Sequence, residues 1–180
     1  MSIKAIWHRY RQFRQAIKSR LTPSDIEFVR LYLPQIEQVL FYRMALQDQR
    51  HSLLLAHTFL SRQHTHDYTW VDTKVFIRSA LLHDVGKSFL PISVWMRSMY
   101  VVLQNWKEGA LLDKHATAQS THPFWQKMTV LANHGELGAQ MLQSIGTLSD
   151  IVDVARYHHS KPQARESKLL PIIREIDGKI

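Results

Sequence analysis

The chain has 180 residues, and 23 Lys+Arg against 15 Asp+Glu give a formal net charge of +8 with all 11 histidines neutral. A 45% hydrophobic share excludes general disorder and supports one domain with a real core. There is no cysteine, so disulfides, thiolate metal sites and cysteine nucleophiles are excluded together, and any metal must sit on histidine and carboxylate. No apolar stretch approaches the ~20 residues that span a bilayer. No signal-peptide pattern follows Met1-Ser2-Ile3-Lys4, so the expectation is a cytoplasmic protein.

Residues 1–22 form the first expected element. Lys4, Arg9, Arg11, Arg14, Lys18 and Arg20 stand among Ile3, Ile6, Trp7, Tyr10, Phe13, Ile17 and Leu21, which recur at three- and four-residue steps. That pattern reads as a basic amphipathic helix, either a peripheral contact to an anionic membrane or a stripe packed on the domain with its charges solvated. Thr22-Pro23-Ser24-Asp25 is a break and restart, with Ser24 as the cap and Glu27 at capping-box spacing. Ile26, Val29, Leu33, Ile36, Val39 and Leu40 continue at helical spacing, and Pro34 kinks or splits the segment.

A helix over residues 48–63 follows, carrying His51, and residues 64–69 read as a loop. Residues 71–82 read as a buried helix that stops at Gly86. An apolar-rich helix is expected over 90–105 and a polar stretch over 107–123. Residues 97–123 read either as a lid over the site or as a core helix followed by a passive connection. Helices resume over 124–133, 136–143, 149–157 behind a Ser cap, and 169–176. No alternating strand pattern and no repeat appear, so the fold class is all-α, with one domain over residues 23–180.

His83-Asp84 stands at the end of the buried helix, where an ionised carboxylate costs several kcal/mol unless a cation compensates it. A metal ion is an economical compensation. Other candidates stand on separate helices: His51 before the pair, then His134, His158-His159 and Asp177 after it. His122 competes with His134, although Gly135, Gly138 and Ala139 after His134 allow a close helix approach. His8, His57, His64, His66 and His115 read as surface or packing residues.

In this order, His51, His83-Asp84 and Asp177 resemble the metal-binding pattern of the HD-domain phosphohydrolase superfamily. Leu82-His83-Asp84-Val85-Gly86-Lys87 is similar to the hallmark of its HDIG-type members. His134-Gly135-Glu136-Leu137-Gly138-Ala139 and Tyr157-His158-His159 resemble the branch that cleaves cyclic di-GMP. That branch's Gly-Tyr-Pro motif is replaced here by Ser160-Lys161-Pro162, and the position of an extra Glu ligand holds Gln47.

The resemblance implies an HD-domain helical bundle and a phosphohydrolase, a phosphomonoesterase or phosphodiesterase acting on a nucleotide-like substrate through metal-bound hydroxide. It implies that His51, His83, Asp84 and Asp177 hold one divalent transition metal. Asp84 would bridge to a second, held by His134 and either His158 or His159. Imidazole and carboxylate suit Fe, Mn, Zn, Ni or Co. Asp84 and Lys87 would be catalytic, Lys87 contacting phosphoryl oxygens, while Arg50 either contacts a substrate phosphate or neutralises Asp48. The alternative is a non-catalytic metal-binding regulatory module. No specific nucleic-acid partner is expected, since no recognition-helix motif accompanies the charge.

Overall fold

A computed structural model describes residues 20–63, 71–93, 95–97, 99, 100, 121–160 and 167–180. The basic N-terminal stretch up to residue 19, the expected loop at 64–69 and residues 101–120 of the expected lid lie outside the described residues. The described residues are helical and contain no strand.

Helix α1 (Pro23–Tyr32) begins two residues earlier than the Ser24 cap requires. Pro23 enters the first turn, where its missing N–H costs nothing, and Thr22 therefore becomes the cap. Its hydroxyl accepts from the Asp25 amide, and the Asp25 carboxylate accepts from the Thr22 amide at 2.8 Å. Pro34 splits the next segment outright, and α2 (Gln35–Arg43) starts behind it. Helix α3 (Leu46–Arg62) carries Asp48 and His51.

Helix α4 (Thr73–Leu82), capped by the Asp72 side chain, is buried along most of its second half. It packs against α1, α2, α3 and α6. A short 3-10 turn (Val85–Ser88) follows it. Helix α5 (Pro123–Ser144) contains a kink at Asn133, where φ is −112° and ψ is 15°, so the two expected helices meet there. Its cap is His122, whose Nδ1 accepts from the Phe124 amide at 3.3 Å. Helix α6 (Ser149–Tyr157) follows Leu148 as cap residue, with no side-chain cap, so the expected Ser cap is absent. Helix α7 (Leu169–Asp177) packs on α3 and α6.

The main core joins Leu33, Phe41, Leu55, Phe59, Phe76, Leu81, Ile151 and Ile173. Phe59 and Phe76 stack with ring centroids 3.7 Å apart. A smaller cluster of Ile92, Tyr100, Met128, Val130 and Leu131 lies under the first half of α5. One buried ion pair crosses the bundle: Glu37 on α2 receives two hydrogen bonds from Arg78 on α4 and one from Thr147 at 3.1 Å. Such a pair fixes register between helices, because stranding either charge would be costly.

Gly86 does not terminate α4 in the left-handed conformation that the sequence suggested. Among the described residues the only positive φ belongs to Gly146, at 72°. Gly86 instead lets the 3-10 turn touch α5. A Cβ there would lie 1.9 Å from the His134 carbonyl oxygen and 2.6 Å from the Gly138 nitrogen. On the opposite side of the kink, a Cβ at Gly135 would lie 2.7 Å from the Arg156 carbonyl oxygen. The backbone around His134 is thus clamped between the turn and α6.

These contacts set a prediction about two glycines. Gly86→Ala forces backbone against backbone and is expected to cost about 3 kcal/mol or more, at or beyond the usual range for overpacking. Gly146→Ala meets nothing within 4 Å and should cost only about 1 kcal/mol, from its left-handed backbone. Urea unfolding of both variants checks the ranking; equal midpoints would contradict it.

Candidate metal centre

Three histidines of the centre, His83, His134 and His158, are placed by helices that are ending or bending, while His51 stands within α3. His83 and His158 are the C-cap residues of α4 and α6, and His134 directly follows the kink in α5. The last carbonyls of a helix lack intrahelical partners. The three rings use this in the same way: His83 Nδ1 donates to the Ala80 carbonyl at 2.9 Å, His134 Nδ1 to Leu131 at 2.6 Å, and His158 Nδ1 to Ala155 at 2.8 Å. A carbonyl only accepts, so each Nδ1 must carry the proton. In a neutral ring that leaves Nε2 as a bare lone pair, the arrangement a metal ligand needs.

The lone pairs converge. His134 Nε2 and His158 Nε2 are 3.3 Å apart. Both point at Asp84 Oδ1, at 3.4 and 3.5 Å. Oδ1 is buried and has no hydrogen-bond partner. His159 supplies a further nitrogen, and the four ligand atoms all lie within 4.8 Å of one another. A second group, His51, His83 and Asp177, meets the same test. The cluster can therefore hold a metal ion. A proton shared between two acceptors could not satisfy four that face one point.

Asp84 joins the two groups, since His83 Nε2 is 3.5 Å from its Oδ2. The same Oδ2 receives the Lys87 ammonium at 2.6 Å. The imidazoles form a continuous line: ring centroids are 5.5 Å apart for His51–His83, 5.0 Å for His83–His158 and 4.1 Å for His158–His159. His83, Asp84, His134 and His158 are buried, His51 and Asp177 half-buried, and His159 stands at the exposed rim.

A regular helix cannot aim two consecutive residues at one point, so only one of His158 and His159 was expected at the centre. The structure brings both there because α6 ends at Tyr157 and the backbone turns after it. Arg50 lies elsewhere. It reaches the Arg20 carbonyl at 3.4 Å and lines a shallow cleft with Asp25, Leu53, Leu54 and His57. The ion-pair partner shown for Asp48 is Arg97. His122 caps α5 and belongs to neither group.

Burial raises the Asp84 carboxyl, but the Lys87 ammonium and His83 outweigh it and hold the group well below the usual carboxylate range. Burial lowers Lys87, yet Asp84 and Asp48 outweigh that and keep the amine charged. Burial, helped by the neighbouring His158 and His51, pushes His83 down to about 4 against the pull of Asp84. His159 falls to about 3 through desolvation, helped by His158 and His134. His51 differs. Burial lowers it, but the 2.7 Å hydrogen bond to Asp177 and the charge of Asp84 raise it overall. Asp177, raised by burial, is pulled down to about 2, chiefly by that same bond.

Arg97 carries a role that no motif signalled. Besides pairing with Asp48 on α3, its Nε donates to the Ile92 carbonyl at 3.3 Å. It thereby anchors the segment after the 3-10 turn beside Lys87. Among the described residues, no helix is long and apolar enough to cross a membrane. In comparisons with known proteins, no family model, no curated protein and no solved structure matches this chain.

The protonation states predict a pH dependence for the metal-free protein. Unfolded histidines take up protons near pH 6.5, whereas His83 does so only near 4 in the fold. Between those values the unfolded chain binds more protons, so stability rises with pH. His51, raised by its partner, has the opposite slope: its contribution is present below about pH 6.5 and lost above its folded value. His83 and His159, both lowered far, outweigh it. In chelator, stability should fall as pH drops from about 6.5 to about 4, by about 3 kcal/mol from His83 alone. Urea midpoints that rise on acidification across this interval would contradict the buried neutral His83.

Proposed function

We propose that this chain is a metal-dependent phosphohydrolase of the HD type, a phosphomonoesterase or phosphodiesterase acting on a nucleotide-like substrate. The observation that carries the reading is Asp84: one oxygen without a partner among histidine lone pairs, the other held by Lys87. The order of His51, His83-Asp84 and Asp177 along the chain supports the same reading.

The donor set fits two divalent cations. His134, His158 and His159 would hold one, His51, His83 and Asp177 the other, with Asp84 between them. When bound, such a pair lowers the pKa of water towards neutrality and polarises phosphoryl oxygens. The chain's own residues do the rest. The three backbone carbonyls behind the imidazoles fix the rings so that no reorientation accompanies the reaction. Lys87, fully charged and one turn from Asp84, supplies positive charge where a leaving oxygen becomes negative. Beyond Lys87 the site opens into a cleft of about 600 Å³ lined by Arg43, Ala45, Ser88, Leu90, Pro91, Ile92, Ser93, Arg97 and Lys127. Its basic lining favours an anionic substrate.

Two variants separate the roles. Asp84→Asn removes the shared charge and should lose bound metal and hydrolysis together, with a lower melting temperature because metal binding couples to folding. Lys87→Met should keep the metal while kcat falls about 100-fold, the size expected for a lost charge at a developing oxyanion. Metal content by mass spectrometry, with phosphatase and phosphodiesterase assays in manganese or iron, reads both. Full metal content in Asp84→Asn would remove the centre from Asp84. Metal retained by the wild type with no turnover on any phosphoester would favour the regulatory module.

For the number of ions, an anomalous-scattering map at metal saturation should show two peaks flanking Asp84. A single peak with His134 turned away would leave only a mononuclear site.

A further inference from the structure

Among the described residues, the cleft beside Lys87 carries more positive charge than carboxylates compensate. Four cations line it: Arg43 from the end of α2, Lys87 from the 3-10 turn, Arg97, and Lys127 from the first half of α5. Two have carboxylates behind them, Lys87 on Asp84 and Arg97 on Asp48. Arg43 and Lys127 have no carboxylate partner among the described residues, and no described carboxylate lines the cleft. The four come from separate parts of the chain, so no helical periodicity places them together as a mere solvated face.

We propose that Arg43 and Lys127 form a second anion subsite, so that the substrate carries a further phosphate besides the one that reacts at the metal centre. The assignment of the reacting phosphate rests on the phosphohydrolase reading; the subsite itself rests only on the cleft. Lys87 is the wall that both share, since it reaches Asp84 on one side and lines the cleft on the other. Two uncompensated cations match the charge of about −1.5 to −2 on a phosphomonoester at neutral pH. Leu90, Pro91 and Ile92 in the same lining offer an apolar wall suited to the face of a base or sugar. The class is therefore a nucleotide with two phosphate groups on separate positions, rather than a simple monophosphate. Ser93 stands in the same lining; its hydroxyl accepts from the Met96 amide and keeps its proton for a linking oxygen, whereas Ser88 donates its own to the Val85 carbonyl.

The test measures binding apart from turnover. Adenosine 3′,5′-bisphosphate and adenosine 5′-monophosphate are titrated calorimetrically into the manganese-loaded full chain, wild type and Arg43→Gln/Lys127→Gln, with hydrolysis of p-nitrophenyl phosphate followed in parallel. Both substituted residues are at least partly solvent-accessible, and thermal melts verify that the double variant folds. The wild type should bind the bisphosphate at least about 10-fold more tightly than the monophosphate, as expected for one extra charge-assisted contact set. The double variant should lose that preference, its affinity for the bisphosphate falling about 10-fold or more towards that for the monophosphate. Equal affinities in the wild type, no binding of either nucleotide, or a preference that survives the double substitution overturns the subsite. If p-nitrophenyl phosphate is cleaved in any of those cases, the phosphohydrolase reading stands without it. A preference that is present and lost as expected, in a protein that cleaves no phosphoester, upholds the subsite and sinks the hydrolase.

Discussion

A carboxylate held ionised inside the protein organises this molecule. Asp84 is buried to within 2% of complete exclusion from solvent, and removing a charge from water is unfavourable by several kcal/mol unless other charges answer it. Lys87 answers for one oxygen. The other has only the electron-rich sides of His134 and His158 near it, which is an unfavourable arrangement for a protein left to itself. The surrounding fold maintains it nonetheless. Gly86 and Gly138 let the turn that carries Asp84 lie directly on the kink of α5, and Gly135 lets α6 close from the other side. Side chains are traded away at three positions so that four donors can face one point.

The two donor groups are prepared differently. In one, His51 and Asp177 satisfy each other at 2.7 Å, so a proton on His51 stands where a cation would bind. In the other, the Nδ1 protons of His134 and His158 are committed to backbone carbonyls, so their Nε2 lone pairs face Asp84 directly. A cation held by the first group would therefore have to displace the proton shared by His51 and Asp177. The difference follows from which atom each ring has behind it: a carbonyl that fixes the tautomer, or a carboxylate that competes for the metal-facing nitrogen.

Much of this was readable from residue order, and what was not has a common cause. Helical periodicity located the helices, and the break at Pro34 and the joint near His134 both lie where small or proline residues interrupt the pattern. The burial of His83-Asp84 followed from the unbroken apolar face of Val75, Phe76, Ala80 and Leu81. The cap of α1 was misplaced because Ser24 and Glu27 match a capping box as well as Thr22 and Asp25 do, and only the position of Pro23 in the first turn decides between them. Gly86 looked like a helix terminator because sequence shows a missing side chain but not the backbone that needs its space. Arg50 was set beside the site as a chain neighbour of His51, yet adjacent helical residues diverge by about 100°. The Glu37–Arg78 pair and the basic cleft had no signal at all. They join residues far apart in the chain, and each member alone resembles an ordinary surface charge.

His51 and Asp177 are 126 positions apart in sequence and belong to α3 and α7. An ion held between them would act as a cross-link closing a loop of that length, and a restraint of this kind acts chiefly by narrowing the unfolded ensemble. Helix α7 contributes Leu170, Ile173 and Ile176 to the main core, so loosening its end exposes apolar surface rather than a free tail. Metal supply would then govern how long the protein survives proteolysis as well as whether its site is assembled.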